Sequence, residues 1–149
     1  IEHARTLNDA GLVYRTIKQT ATAITHLEKA YQIMKQAHKD QNSNWELTQK
    51  NLAITRAERS GWIAPEQRNN DSPQRYGALI VDCYKGECGG LRVGDWVQKY
   101  QGITVEDGLD LDSLMSAATP DRKITMMVVR DGKTLELKMR GVDLKLKTR

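Results

Sequence analysis

A chain of 149 residues can form one ordinary domain or two small ones. Its composition, 39% hydrophobic and 28% charged, fits a globular protein with a polar surface. No apolar run approaches the roughly 18 residues a membrane span requires. The formal charge of +4 is unevenly placed. Lys138, Arg140, Lys145, Lys147 and Arg149 crowd the C-terminus against the single acid Asp143. Without aromatic residues there for base stacking, this basic stretch reads as a solvated strand and tail, and nucleic acid is not the expected partner. The chain opens at Ile1 inside a helical pattern. It is therefore expected to be a piece of a longer protein, and cytoplasm and periplasm both stay open as its compartment.

The first 60 residues contain no proline, and Gly11 is their only glycine. Leu7, Ala10, Tyr14 and Ile17 recur at helical spacing, as do Ala23, Leu27, Ala30, Ile33 and Met34. Two helices are predicted, separated by a polar break at Lys18–Thr22, the second running to about Lys39. After a polar connector, Lys39–Asn44, a third helix is predicted from about Trp45 to Ser60. Gly61 stands where a left-handed C-terminal cap belongs.

Beyond Gly61 the texture changes. Ala64-Pro65 and Ser72-Pro73 bracket a polar linker. Strand signals follow at Ala78–Cys83, Trp96–Gln101, Ile124–Arg130 and Thr134–Met139. Asp131-Gly132 joins the last two as a type I′ hairpin signal. Leu109–Ala118 is the one helical stretch in this half, with Pro120 past its end.

Residues capable of chemistry are sparse. No serine lies in a G-x-S-x-G elbow. Asp110 and Asp112 could be paired carboxylates, but at a helix start they read as capping and dipole complementation. Cys83 and Cys88 read as two free, partly buried thiols, with a small disulfide as the alternative. His3, His26 and His38 all lie in the other half, so no metal site is expected. No catalytic residue and no cofactor are predicted, although a protease unit elsewhere in a longer protein is compatible with the chain.

Two resemblances organise these signals into an α+β protein of two modules. Leu7, Ala10, Gly11 and Tyr14 follow the W-x-x-L-G-x-x-Y spacing of a tetratricopeptide repeat, and Ala23 and Leu27 follow its A-x-x-x-F spacing. Gly11 and Ala23 would let two antiparallel helices approach closely. A partial second copy, Asn51-Leu52-Ala53-Ile54, lines up with Asp9-Ala10-Gly11-Leu12 in the longer style of kinesin light chains. Residues 1–61 therefore resemble a helical-repeat unit of three helices. The resemblance implies a concave, partner-binding face of Arg5, Asn8, Leu12 and Arg15, continued by Lys50, Ile54 and Ala57.

Residues 62–149 resemble a PDZ domain of the bacterial type, a small β-barrel or sandwich with one main helix. Gly77-Ala78-Leu79-Ile80-Val81, Leu91-Arg92-Val93-Gly94-Asp95, the turn at Gly102, the helix and the Arg130-Asp131-Gly132-Lys133 hairpin follow in the family's order. This resemblance implies a groove for a peptide strand or a free C-terminus. Gly61, Trp62, Ile63 and Ala64 resemble the family's carboxylate loop, in which bare backbone amides hold the terminal carboxylate. Tyr76-Gly77-Ala78 is a second candidate loop. On the groove helix, Leu114 or Met115 would line the groove, while Leu111 and Ala118 face the core. The expected function is a non-catalytic adaptor that binds protein or peptide, with two alternatives: a structural module whose groove is covered, or a substrate-sensing fragment of a larger protease. With only two helical units, the third helix is expected to use the β-rich half as its missing neighbour, through Trp45 or Trp62.

Overall fold

The computed structural model describes residues 2–37, 44–69, 71–83, 89–117, 123–140 and 146–148. Its architecture is α+β, with a helical N-terminal part and a β-rich C-terminal part. Helices α1 (Glu2–Thr16), α2 (Thr20–Ala37) and α3 (Asn44–Arg59) come first. Two short 3-10 turns follow, at Pro65–Gln67 and Pro73–Arg75. Next come β1 (Ala78–Cys83), β2 (Trp96–Tyr100), β3 (Ile103–Thr104), α4 (Gly108–Ser116), β4 (Lys123–Arg130), β5 (Lys133–Arg140) and β6 (Leu146–Thr148). The expected connector after α2, the turn around Cys88 and the segment around Pro120 lie outside the described residues.

The break between α1 and α2 is shorter than predicted. Lys18 takes a left-handed φ of 67°, and the Gln19 amide donates to the Tyr14 carbonyl at 2.8 Å, so α2 already begins at Thr20. Gly11 sits where the two helices touch. A Cβ there would lie 2.7 Å from Leu27 Cγ and 3.3 Å from the Ala23 carbonyl oxygen, so no larger side chain fits without displacement.

The strands form one antiparallel sheet in the order β5-β4-β2-β1-β6, with β3 paired to β2. β4 and β5 pair along their whole length around Asp131 (φ 51°) and Gly132 (φ 78°), the left-handed pair a type I′ turn requires. Side chains alternate between the two faces of the sheet. Ala78, Ile80, Val97, Met126 and Val128 turn to one face and form a core with Leu91, Tyr100, Val105 and Leu111 of α4. Leu79, Trp96 and Val129 turn to the other and close against Ala53, Ile54 and Ala57 of α3, with Trp62 and Ala64. The sheet thus lies between α3 and α4.

Small residues let α3 approach this closely. A Cβ on Gly94 (φ 98°) would stand 3.2 Å from Arg56 Cδ and 3.9 Å from Ala53 Cα. Trp96 donates its indole N–H to Ser60 Oγ at 3.1 Å, so burial of its ring leaves no orphan donor. The third helix does pack on the sheet as expected, with Trp62 in the seam.

Candidate functional site

The loop after α3 is built by its cap. Gly61 (φ 103°) donates its amide to the Glu58 carbonyl at 3.1 Å, and Trp62 donates to the Ala57 carbonyl at 2.9 Å. This pair of bonds is a Schellman motif, which satisfies the last carbonyls of the helix. Ile63 then donates to the Arg75 carbonyl at 3.0 Å, while Ala64 is buried and leads into the 3-10 turn at Pro65. Trp62 is 2% exposed and donates its indole N–H to the Gly77 carbonyl at 3.0 Å.

These bonds correct one expectation. A carboxylate-holding loop needs amides free of partners, and those of Gly61, Trp62 and Ile63 are already engaged within the fold. One amide cannot both close a helix and hold a ligand. In the alternative loop, Tyr76 already donates its amide to the Pro73 carbonyl at 3.1 Å. A Cβ on Gly77 would meet the Val97 carbonyl at 2.7 Å and the Trp96 ring at 2.8 Å, so Gly77 is pressed against β2.

Sequence reasoning passed over Arg68. Its guanidinium donates to the carbonyls of Ile63, at 3.0 Å, of Gly77, at 3.3 Å, and of Glu106, and lies 4.5 Å from the centroid of the Tyr76 ring. One side chain thereby stitches the loop after α3, the approach to β1 and the approach to α4. Burial holds the Arg68 pKa below its usual value, while Asp107, Tyr76, Glu106 and Glu66 act the other way. An arginine in a polar linker gives no local signal of such a role.

Helix α4 starts on a reciprocal cap. Asp107 Oδ1 accepts the Asp110 amide at 2.9 Å, and Asp110 Oδ2 accepts the Glu106 amide at 3.0 Å. Asp110 is therefore a capping residue, as expected, with Asp107 as the N-cap itself. Leu111 is fully buried; Leu114 and Met115 are half-buried and pack on the same core, and Leu109 is 76% exposed.

Beside α4 runs the outer edge of β1, and β6 lies on it. Its antiparallel register places Thr148 opposite Ile80, Lys147 opposite Asp82 and Leu146 opposite Cys83. Thr148 Oγ1 reaches Asp112 Oδ1 on α4 at 3.4 Å. A three-residue strand thus adds to the sheet edge and touches the helix that flanks it.

On the helical part, Arg5 and Lys50 are exposed and Leu12 is half-buried. Asn8 accepts a hydrogen bond from Thr48 at 3.1 Å, and Arg15 pairs with Glu58 at 2.7 Å, so both turn toward α3. Ile54, 4% exposed, and Ala57, fully buried, face the sheet. This corrects their expected place on an open face: helical periodicity marks an apolar stripe, and the sheet is what covers it.

A bidentate ion pair joins the Gly94-Asp95 turn to the β4–β5 hairpin. Arg130 reaches both oxygens of Asp95, at 2.9 and 2.7 Å, and the Gly90 carbonyl at 2.9 Å. Asp95 is 2% exposed and also accepts the Arg92 amide at 2.8 Å. This bidentate contact raises the Arg130 pKa, chiefly through the hydrogen bonds to Asp95. Among the described residues no cluster of His, Cys, Asp and Glu could hold a metal, and no helix is long and apolar enough to cross a membrane.

Fold and site together define an α+β protein whose β1 edge carries a three-residue antiparallel strand beside the short helix α4. Over 65 aligned positions, 42% of its length, the chain is 38% identical to a probable periplasmic serine endoprotease, DegP-like, of Chlamydia trachomatis. It is 40% identical to the protein of the same description from Chlamydia muridarum and 35% identical to that from Chlamydia pneumoniae, each over 42% of the chain. The aligned stretch spans 13% of each of these relatives. No protein-family model matches the chain, and no solved structure matches it.

Proposed function

We propose that the chain is a non-catalytic peptide-binding module: a PDZ-like unit, residues 62–149, joined to a tetratricopeptide-like helical unit, residues 1–61. The observation that carries this reading is β6 itself, an extended segment added antiparallel to the β1 edge and touching α4. Strand addition supplies backbone hydrogen bonds whatever the sequence, and pockets beside the edge supply selectivity. A ligand peptide would take the position of β6, with Leu114 and Met115 as the apolar wall. Because the amides of Gly61, Trp62 and Ile63 are engaged, recognition rests on the strand rather than on the terminal carboxylate. Arg5 and Lys50 are the residues of the expected helical face left open to a protein partner.

The test is titration of an apolar-ended peptide library in free-acid and amidated forms. The expected result is binding of similar strength for both forms, weakened by Met115→Asp in protein that circular dichroism shows to be folded. Binding that requires the free acid would restore a carboxylate loop. No binding of either form would leave the structural module, with a covered groove, as the better account.

The likeness to DegP-like endoproteases favours a second reading of the same site. In it, the groove senses substrate segments for a protease unit in a longer protein. Fusing the chain to such a unit and measuring cleavage of groove-binding peptides would separate sensing from simple adaptor binding.

A further inference from the structure

The groove lies beside α4, and a separate cavity lies on the other side of the sheet. It encloses about 540 Å³ and is lined from four places: Ile24 and Glu28 of α2, Arg56, Arg59 and Ser60 at the end of α3, the Arg92–Asp95 turn, and the Arg130–Gly132 hairpin. Four arginines converge there, and two are committed. Arg130 is held by Asp95, and Arg56 pairs with Glu28. Arg59 and Arg92 are exposed, and among the described residues their guanidinium groups make no hydrogen bond or ion pair. Asp131, exposed on the hairpin turn, is the one lining carboxylate not engaged in an ion pair.

We propose that this cavity binds an acidic segment of a polypeptide, with its side-chain carboxylates on Arg59 and Arg92. Guanidinium presents paired N–H donors that match a carboxylate, and two unengaged copies line one concave site. The space exceeds what a lone anion would fill, and Ile24 and Val93 give the walls apolar patches for a side-chain stem. The site is independent of the α4 groove, because the sheet stands between them.

The test uses an acetylated, amidated hexapeptide of alternating aspartate and glutamate, which has no terminal carboxylate, and its asparagine–glutamine counterpart. By isothermal titration at low salt, the acidic peptide should bind about ten-fold more tightly or better. The double variant Arg59→Ala with Arg92→Ala should abolish that preference. Asp131→Asn, which removes a competing carboxylate, should strengthen binding, and Met115→Asp should leave it unchanged. Equal binding of the two peptides, or an unaltered preference in the double variant, overturns the proposal. Inorganic phosphate displacing the peptide at equal concentration would also overturn it, since the site would then be one for small anions.

Discussion

The two faces of the sheet are closed in different ways. Against α3 the seam sets Ala53, Ile54 and Ala57 of the helix on Leu79, Trp96 and Val129 of the sheet, with Trp62 wedged at the end. Every indole N–H in that seam is hydrogen-bonded, and Gly94 lets the helix come close. On the α4 side the helix itself is anchored by Leu111, yet the sheet edge beside it carries only a three-residue strand. The first arrangement is a fixed junction. Under the proposed function, the second is the place where one strand is exchanged for another.

If the α3 seam is fixed, breaking it should be costly for both parts at once. Trp62→Ala removes a fully packed ring and leaves a cavity, with an expected loss of about 3–5 kcal/mol. Denaturant unfolding followed by helix-dominated circular dichroism and by fluorescence of the remaining tryptophans should shift together. Two separate transitions would show that the helical part and the sheet are independent bodies. A smaller effect is expected away from the seam. Gly11→Leu overpacks the α1–α2 contact against Leu27 and should cost about 1–3 kcal/mol. An unchanged melting temperature would mean those helices do not meet at Gly11.

The pattern of what could be read from sequence follows the same division. The β4–β5 hairpin was legible because Asp131-Gly132 needs only local backbone geometry, and the end of α3 was legible because Gly61 caps it. The burial of Ile54 and Ala57 was not. Their helical spacing announces an apolar stripe, but a sheet formed some 25 residues later in the chain decides what covers it. The occupied amides of the Gly61 loop were hidden for a related reason: one partner, the Arg75 carbonyl, returns from the far end of the linker. The strand β6 carries no alternating apolar signal, since Leu146-Lys147-Thr148 takes its conformation from the edge of β1. The arginine-lined cavity draws on four separate elements, none distinctive alone.

A local element gives a cleaner intermediate case. Gly132→Val introduces no clash, since nothing stands within 4 Å of the added Cβ. It does force a β-branched residue to a φ of 78°. The expected cost is about 1–2 kcal/mol, from backbone strain alone. Gly132→Asn should recover most of it, because asparagine tolerates the left-handed region. Equal losses for both variants would point to a packing role that the turn geometry does not suggest.

The smallest expected effect on stability lies at the exchangeable edge, and it should coincide with the largest gain in binding. Deleting residues 146–149 removes the strand that occupies β1. Each backbone hydrogen bond lost there contributes only about 0.5–1.5 kcal/mol net. Ordering each residue of the strand costs about 1–2 kcal/mol. These terms nearly cancel over three residues, so the melting temperature should hardly move. The edge of β1 would then be permanently open, whereas in the intact chain a ligand binds only the fraction of molecules whose edge is free. A strand-adding peptide should therefore bind the shortened chain more tightly, and the ratio of the two dissociation constants measures how closed the intact edge is. Calorimetry on both chains, with exchange of the β1 amides that face β6 as an independent readout of edge opening, decides it. A large loss of stability on deletion would make β6 a permanent part of the sheet, and the two faces would then be closed alike.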